Sequence, residues 1–533
     1  MHMRHKLPLG GIVAGVIALA LAVAPAAGAR VLRVGTYHGV PGQYKSIQAA
    51  VNAAHPGDWI LIAPGDYKTS SSSAPKGAPD APAAIMITKP RIYLRGMNRN
   101  TVIVDGTKPG SPRCSNSESA QNFGPKDKKG ALGLNGIMVW KAGDVWIQNL
   151  TVCNFLGGSG GDGDTGNEIW WNGGANSGKV GGHGYYGSYM TATSTYFNGE
   201  ATAAEYGIFS SNWAGGTWDQ SYASNFNDSG YYIGACQQVC HQTMDNAWAE
   251  FNALGYSGSN SGGWLLIENS RFDNNEDGFD TNSQNGDEPS PQDGACPAGV
   301  APPVAGAPSC WVLYRNTFAD NNNPNVPSAG SAAAGPVGTG MSLSGGKNDT
   351  VMDNLFENNG AWGQITIPYL DSGKPCTGGI LNAIGAGSCL FDESGDALLD
   401  NTFSHNGFFG NPSNGDLALT NFDQGPTDCF SGNVEQGGGA VTTTPANLEQ
   451  TYPTCNGQPV AASETAAGSF TNEVLCDAQV SLAAGAKPPC QPTDHYPRRT
   501  KVVMHPLPKH LATMPNPCAG VPANPWCRAK KQG

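Results

Sequence analysis

The stretch WLLIENSRFDNNEDGFDTN, residues 264–282, carries both the clearest fold signal and a dense set of carboxylates. Its first part, WLLIENSRF, has the pattern of a short apolar strand, an Asn turn and a return strand. Its second part, NNEDGFD, is a turn that carries several acidic side chains. The first part recurs along the chain and therefore reports the fold. The second part occurs once and is the best lead to chemistry.

Copies of the strand–Asn–aromatic pattern are spread over residues 145–407. They read VWIQNLTVCNFLGG, TWDQSYASNFNDSGYYI, QTMDNAWAEFNALGY, WVLYRNTFADNN, TVMDNLFENNG and ALLDNTFSHNG. The anchoring aromatics Tyr222, Trp248 and Phe272 are 26 and 24 residues apart, and Phe318, Phe356 and Phe403 follow. A period near 24 residues indicates one coil of a solenoid.

Such a coil predicts an all-β, three-sheeted parallel β-helix, right-handed because parallel crossovers almost always are. Inward aromatics would stack in a column, and Asn at the turns would bond free backbone groups. The alternative, a β-sandwich, would require hairpins with two-residue Asn-Gly turns. The Asn-rich turns here are instead followed at coil length by another copy, which favours the β-helix.

The segment SIQAAVNAAHPGDWILIAPGDY, residues 46–67, begins with a short helix that Ser46 can cap. It resembles the start of secreted right-handed parallel β-helix proteins of the pectate-lyase-like superfamily, and the resemblance covers about residues 46–435. It implies that the helix covers the open end of the first coil. That superfamily includes lyases, hydrolases, epimerases, adhesins and phage tailspikes, so the resemblance specifies fold far better than function.

The first 29 residues predict a secretory signal peptide: Arg4 and Lys6, an apolar run, then the small-residue pattern Ala27-Gly28-Ala29. Its removal takes the formal charge from −12 to −14, which disfavours nucleic-acid binding. No later stretch is apolar enough to span a membrane. We therefore expect a secreted monomer whose partner is a polysaccharide or cell-wall glycan.

Fourteen cysteines in an exported chain predict disulfides. Neighbours along the sequence pair without remainder: Cys114/Cys153, Cys236/Cys240, Cys296/Cys310, Cys376/Cys389, Cys429/Cys455, Cys476/Cys490 and Cys518/Cys527. The expected organisation is a β-helix over residues 30–435 and a Cys- and Pro-rich tail over 436–533. We expect the tail to cap the last coil or to dock elsewhere.

The acidic turn offers Glu276, Asp277 and Asp280, and crowded carboxylates of this kind suit Ca²⁺. Glu276–Asp280 is similar to the D-D-G-x-D turn that binds calcium in polysaccharide lyase family 9. That resemblance implies β-elimination, with a Lys or Arg as the base. Ser342 stands where the family's catalytic Lys would be, so Lys347 and Arg315 are the candidate bases, with Arg271 as another.

A hydrolase is the second enzymatic possibility. Gly182-His183-Gly184 is similar to a motif of polygalacturonase-type hydrolases, and an inverting hydrolase would need two separated carboxylates. Asp277 and Asp280, or either of them with Glu250, could supply the pair. Tryptophans in the Gly-rich loops could stack on sugar rings or pack against the solenoid: Trp170, Trp171, Trp213 and Trp218.

The sequence thus predicts a secreted β-helix that binds or degrades a polysaccharide in a lateral groove, with calcium-dependent elimination favoured among the enzymatic reactions. The alternative is a non-catalytic surface or matrix protein that binds glycan or persists as a stable rod.

Overall fold

A computed structural model describes residues 28–69, 71–159, 164–174, 179–236, 240–285, 289–371, 375–422, 427–455, 469–482 and 485–528. These residues form a right-handed parallel β-helix, as expected. The first coil contributes only Val31–Val34, and each later coil contributes to three ladders, named here sheets 1, 2 and 3. The predicted signal peptide lies almost wholly outside the described residues.

Sheet 1 runs through Val31–Val34, Trp59–Ile62, Tyr93–Gly96, Val145–Cys153, Tyr185–Thr193, Gly216–Asp219, Gln242–Asp245, Leu265–Glu268, Trp311–Tyr314, Asp349–Met352, Ala397–Leu399 and Cys429–Ser431. Sheet 2 runs through Gly65–Lys68, Val102–Asp105, Tyr222–Ser224, Trp248–Glu250, Arg271–Asp273, Thr317–Ala319, Leu355–Glu357, Thr402–Ser404 and Val434–Glu435. The nine-residue strands at 145 and 185 continue from sheet 1 into sheet 2.

Sheet 3 runs through Ala83–Ile87, Asn135–Trp140, Ile169–Asn172, Tyr206–Ser211, Ser229–Gly234, Leu254–Ser259, Asp277–Asn282, Thr339–Ser344, Trp362–Ile367, Gly415–Leu419 and Thr443–Thr444. Short pairings outside the coils join Thr36–Tyr37 to Val40–Pro41 and Gly182–His183 to Trp213–Ala214. Three more strands form a small insertion: Tyr369–Asp371, Ile380–Leu381 and Cys389–Phe391. The helices are α1 (Ile47–Ala53), α2 (Leu448–Thr451) and α3 (Ser469–Asp477), with 3₁₀ turns at Glu118–Ala120, Glu200–Thr202 and Gly330–Ala334.

The core contains the predicted aromatic column. Phe272, Phe318, Phe356 and Phe403 are fully buried, and successive rings stack with centroids 4.8–5.2 Å apart. Tyr222 and Trp248 were wrongly assigned to this column. Their strands place Ala223 and Ala249 in register with Phe272, while Trp248 is half-buried and donates to Asp273. The one-residue difference moves a side chain to the opposite face of the strand.

Helix α1 packs over the first coil, as the resemblance implied. The Ser46 hydroxyl accepts a hydrogen bond from the Ala49 N–H at 3.1 Å and so caps the helix. Ile47, Ala50 and Val51 are buried against the first strands. The helix thereby covers apolar surface that an end coil would otherwise expose.

Two corners of the coil are lined by asparagines. One amide ladder, between sheets 1 and 2, comprises Asn316, Asn354, Asn401 and Asn433. The other, between sheets 2 and 3, comprises Asn252, Asn275, Asn321, Asn359 and Asn406. In each, a backbone N–H donates to the side-chain oxygen of the next asparagine, and the side-chain NH₂ donates to that oxygen and to a backbone carbonyl of an earlier coil.

The third corner, between sheets 3 and 1, uses aspartates. The Asp349 N–H donates to Asp396 Oδ1 at 2.8 Å, and the Asp396 N–H donates to Asp428 Oδ1 at 2.9 Å. Asp396 Oδ2 and Asp428 Oδ2 are buried without a hydrogen-bond partner. Burial raises the pKa of all three carboxyls, and that of Asp428 reaches about 7.

All seven predicted disulfides are present, and no cysteine is free. Each closes a loop of 4–39 residues, so the bridges tie insertions to their own coils. Among the described residues, no helix is long and apolar enough to cross a membrane.

The C-terminal residues 491–528, here called the strap, run back along the solenoid from the late coils to the first one. Tyr496 packs on Trp362, while Asn325 accepts from the Thr500 N–H at 3.0 Å. Asn225 and Asn100 each bond both the N–H and the C=O of one strap residue, His505 and Leu511. The Trp526 indole finally donates to the Val40 carbonyl.

Candidate functional site

The outer face of sheet 3 changes character along the solenoid. One row of side chains, in register from coil to coil, reads Phe209, Tyr232, Ser257, Asp280, Ser342, Ile365 and Ala418. The first part is aromatic, and the last part is covered by Phe470 of α3 and Tyr496 of the strap. The polar middle lies between these two covered regions and is the candidate site, here called the acid groove: Tyr206, Asp228, Ser257, Asp280 and Tyr369.

Asp228 lies at the start of the strand Ser229–Gly234. Its Oδ2 accepts a hydrogen bond from the Tyr206 hydroxyl at 3.1 Å, and its Oδ1 lies 3.4 Å from the Ser257 hydroxyl of the next coil. Burial raises the pKa of Asp228 to about 6, and the charge of Asp280 adds to the increase. Asp228 therefore holds its proton more firmly than an exposed aspartate does.

Asp280 is one further coil along. Its Oδ1 accepts from the Ser344 hydroxyl at 2.9 Å, and its Oδ2 accepts from the Asn282 amide at 3.0 Å. Burial raises its pKa, and these two hydrogen bonds oppose the increase. Ser257 is its register neighbour and also the neighbour of Asp228, so one hydroxyl lies between the two carboxyls.

The two carboxyls lie on either side of Ser257. In register, Tyr232 pairs with Ser257 and Ser257 with Asp280, whereas Asp228 lies four residues before Tyr232, nearer the start of its sheet 3 strand. Burial raises the pKa of Tyr369, at the base of the three-stranded insertion, and the charges of Asp280, Asp371 and Asp228 add to the rise. The acid groove therefore groups two carboxyls with a phenol.

The predicted calcium ligands do not converge. Asp277 is buried and accepts from the Phe279 N–H and the Ser342 hydroxyl, both at 3.1 Å. Glu276 is also buried, with Arg499 Nη2 of the strap 3.7 Å from its Oε2, and burial raises its pKa to about 8.

Among the described residues, only two groups of three His, Cys, Asp or Glu ligand atoms lie within 4.8 Å of one another. Both contain disulfide-bonded cysteines, and neither includes the acidic turn. Since Ca²⁺ needs six to eight oxygens at 2.3–2.6 Å, the side chains as placed do not fit the ion. Asp287 and Glu288, which follow this turn in the sequence, lie outside the described residues.

The predicted bases lie at other corners of the coil. Arg315 is exposed at the corner between sheets 1 and 2, where its Nε lies 3.8 Å from Asp353. Lys347 lies at the corner between sheets 3 and 1, where its backbone forms an isolated parallel β-bridge with Ser394. Arg271 pairs with Asp273 on sheet 2 at 2.8 Å. The structure therefore places none of the three on the same face as Asp277 and Asp280.

The four tryptophans proposed to bind sugar are all buried. Trp171, Trp213 and Trp218 lie in the main core, whereas Trp170 lies in the aromatic cluster on the outer face of sheet 3 and stacks on Phe209 with centroids 4.8 Å apart. A glycine lies against one of these rings: a Cβ on Gly182 would meet Trp213 at 2.2 Å. The rings fill space that glycine leaves, so their faces are not free to stack on sugars.

The hydrolase candidates of the sequence are only partly brought together. Glu250 lies on sheet 2, where it accepts from the Tyr222 hydroxyl at 2.6 Å, and His183 is an exposed residue of a two-residue strand. Of these hydrolase candidates, only Asp280 lies in the acid groove with its carboxyl on the outer face of sheet 3. Sequence reasoning missed Asp228, Tyr206 and Tyr369, and the signal for Asp228 was its place in NDSGYYI, at the same turn as the acidic cluster two coils later.

No protein-family model matches the chain, and a search of curated proteins finds no match. Among solved structures, the A-module of Azotobacter vinelandii mannuronan C-5 epimerase AlgE6 is similar, with TM-score 0.45, 14% identity, and coverage of 74% of this chain and 90% of that one. Pectate lyase Pel9A is similar with TM-score 0.33 and 14% identity, and the match covers 79% of this chain and 84% of that one. The Yersinia enterocolitica family 28 exopolygalacturonase is similar with TM-score 0.36 and 13% identity, over 76% of this chain and 74% of that one. The likeness at these identities concerns the fold.

Proposed function

We propose that this chain is an exported polysaccharide-processing enzyme that cleaves glycosidic bonds in the acid groove. The observation that carries the proposal is the pair Asp228 and Asp280: two outward carboxyls on one face, two coils apart, with a single serine hydroxyl between them. An inverting hydrolase uses two carboxyl groups, one as general acid and one as general base, which flank the glycosidic bond and leave room for a water molecule.

The pair supplies both proton transfers of hydrolysis. Burial raises the pKa of both carboxyls, and ionising one disfavours ionising the other, so the pair can hold one protonated and one ionised group. The protonated carboxyl gives its proton to the glycosidic oxygen as the bond from the anomeric carbon breaks. The ionised carboxyl takes a proton from the water that forms the new bond to that carbon.

Elimination is the less favoured reaction for this geometry. It requires a base next to a uronate carboxylate and a cation that neutralises that carboxylate. Lys347 and Arg315 are at other corners of the coil, and among the described residues the acidic turn brings no three ligand atoms within 4.8 Å of one another. The proposed order of the two reactions is therefore the reverse of the sequence-based prediction.

The test is release of reducing ends from a panel of soluble polysaccharides. Asp228→Asn and Asp280→Asn should each reduce turnover by at least about 100-fold, the usual contribution of a general acid or base. Asp353→Asn is the matched control, because Asp353 is an exposed carboxylate at the opposite corner. Products carrying a new carbon–carbon double bond would instead identify elimination.

A second candidate is glycan binding without turnover. It is favoured by the hydrogen bonds that hold both oxygens of Asp280 to neighbouring side chains. In that case the folded wild-type protein would bind a polysaccharide but release no reducing ends from any member of the panel.

A further inference from the structure

An apolar cavity lies between the three-stranded insertion, helix α3 and the outer face of sheet 3. It has a volume of about 120 Å³. Ile367 of sheet 3, Leu390 of the insertion and Val474 of α3 line it together with other aliphatic side chains. The proposed cleavage of glycosidic bonds uses none of these side chains.

Helix α3 carries more apolar surface than its contact with the solenoid uses. Phe470 packs on Trp362 with ring centroids 5.8 Å apart and so attaches the helix to sheet 3. Leu475 is five residues later, which places it about 140° further around the helix, and it lines the cavity. The helix therefore closes one side of the cavity with a face other than the one that packs on the solenoid.

Three large apolar side chains of the cavity are exposed to solvent. Leu370 is 36% exposed, Phe422 is 45% exposed and Leu482 is 47% exposed. Among the described residues nine large apolar side chains are exposed, and these three line the same cavity. Single exposed apolar residues are ordinary, whereas a group of them around one concave surface marks a binding site.

The cavity is poor in hydrogen-bonding groups. Of the described residues that line it, only Thr420 and Thr471 have polar side chains, and their hydroxyls hydrogen-bond to each other at 3.4 Å. A sugar ring or a phosphate group would give up its hydrogen bonds to water on entering. A cavity of about 150 Å³ lined by Leu, Ile and Phe stays dry and admits benzene. By proportion, a volume of about 120 Å³ suits roughly five carbon atoms.

The cavity lies on the same sheet face as the acid groove. Asn282 pairs with Ser344, and Ser344 with Ile367, in the register of sheet 3. Ser344 also donates to Asp280 of the groove. Each ladder step is about 4.8 Å, so the backbones of Asn282 and Ile367 are roughly 10 Å apart. A substituent on a sugar bound over Asp280 therefore reaches the cavity along the sheet.

Building on the proposed function, we propose that the glycan cleaved in the acid groove carries short acyl groups and that the cavity binds one of them. A chain of about four or five carbons fills the volume. An acetyl group leaves most of it empty, and a much longer chain exceeds it. Burial of each methylene stabilises the complex, so the cavity selects glycans by the length of the acyl group.

The deciding experiment measures binding of each polysaccharide of the panel as its acetyl, butyryl and octanoyl ester, at equal degrees of substitution. For the backbone that binds best, the butyryl ester should bind roughly tenfold more tightly than the acetyl ester, because each of the two added methylenes contributes about three- to fourfold. The octanoyl ester should bind at most about twofold more tightly than the butyryl ester, because the cavity is then full. Calorimetry with the Asp228→Asn protein measures these affinities without turnover.

Two variants of α3 form a matched pair. Val474→Phe fills the cavity and should reduce the difference between the butyryl and acetyl esters to less than about twofold. Asn472→Phe adds the same ring at an exposed position of the same helix and should keep the tenfold difference. Ile384→Phe fills the cavity from the insertion and decides the question if Val474→Phe does not fold.

The outcomes separate the two proposals. If affinity does not depend on the acyl length, or if the filled variants and Asn472→Phe behave alike, the acyl assignment is wrong and cleavage in the acid groove stands on its own test. If ethyl butyrate, which carries no sugar, displaces the butyryl ester at an equal concentration of acyl groups, the cavity does not read a substituent of a glycan, and the assignment is wrong. If the butyryl ester is bound preferentially but never cleaved by the wild-type protein, the acyl assignment holds and the proposed cleavage is wrong.

Discussion

The amide corners and the acid corner of the coil satisfy the same backbone groups with different side chains. In the ladder around Asn354, each side chain accepts on its oxygen and donates from its nitrogen, so every polar atom is used. In the ladder around Asp396, the oxygen corresponding to that nitrogen has no donor facing it. In both ladders a backbone N–H donates to a side-chain Oδ1. The ladders differ only in the other terminal atom of the side chain, which is the donor Nδ2 in asparagine and the acceptor Oδ2 in aspartate.

That difference makes one corner insensitive to pH and the other responsive. An amide does not titrate, whereas a buried carboxyl in a column of carboxyls must hold its proton to avoid unpaired charge. The charges of Asp349 and Asp428 add to the effect of burial on Asp396. The four predictions that follow test this contrast, beginning with the largest expected effect.

Asn354→Leu should destabilise the fold most. It removes the acceptor of the Asn316 N–H and the side-chain donor to the Leu313 carbonyl, and it leaves the Asn401 oxygen with only the backbone N–H of residue 354. Buried groups left unpaired cost about 1–3 kcal/mol each and are not strictly additive, so we expect a loss of about 3–5 kcal/mol in thermal or urea unfolding. Asn52→Leu, an exposed substitution on α1, is the control and should change little. Equal losses for the two would show that the ladder contributes nothing specific.

Asn354→Asp converts one step of an amide ladder into the acid type. The new oxygen would face the Leu313 and Met352 carbonyls, which now accept from the side-chain nitrogen. We expect a loss of about 2–4 kcal/mol at pH 8, with roughly half recovered at pH 4, where the carboxyl is protonated and donates again. A loss that does not depend on pH would contradict the proposed difference between the corners.

The wild-type protein should become less stable as pH rises. Because the folded-state pKa of Asp428 is raised from 3.8 to about 7, the folded state binds a proton that the unfolded state releases first. The stabilisation is complete below about pH 4 and is lost progressively up to about pH 7, by the linkage relation. We expect a change on the order of 2 kcal/mol, measured as unfolding free energy against pH. A rise in stability over this interval would refute the sign.

Asp396→Asn should have the smallest effect, and a favourable one. The amide keeps the acceptor for the Asp349 N–H and removes the central carboxyl from the column. We expect a gain of about 1 kcal/mol at pH 8 and little change at pH 4. Paired unfolding curves at the two pH values measure it, and destabilisation at pH 8 would show that Asp396 is needed in its charged form.

The fold was predictable because its signals repeat. Phe272, Phe318, Phe356 and Phe403 recur with Asn two or three residues away, and seven pairs of neighbouring cysteines fit local loops. Trp248 was assigned to the wrong face because an aromatic at coil spacing resembles the anchor, although the neighbouring Ala249 occupies the inward position. When two adjacent residues are both apolar, the spacing of the repeats along the sequence does not determine which of them faces the core.

The site was less predictable because it depends on contacts between coils and insertions. Asp280 was found through its acidic neighbours, but Asp277 and Glu276 are buried rather than offered to solvent. Asp228 has no acidic motif around it, and Tyr369 comes from an insertion whose position only the folded chain defines. For Trp213 and Trp218 the sequence leaves sugar stacking and packing both open, because flanking glycines suggest loops, whereas in the structure glycine makes room for the buried rings.

The length of the strap is matched to the length of the solenoid. Its contacts with Asn325, Asn225 and Asn100 occur at Thr500, His505 and Leu511, an order that matches the positions of their coils. Inserting or deleting one coil would displace the later partners by about 4.8 Å relative to the strap. An ordinary repeat protein can gain or lose whole repeats. In this chain the strap contacts early and late coils at fixed positions, so a change in the number of coils should be tolerated only when the strap is lengthened or shortened by the same distance.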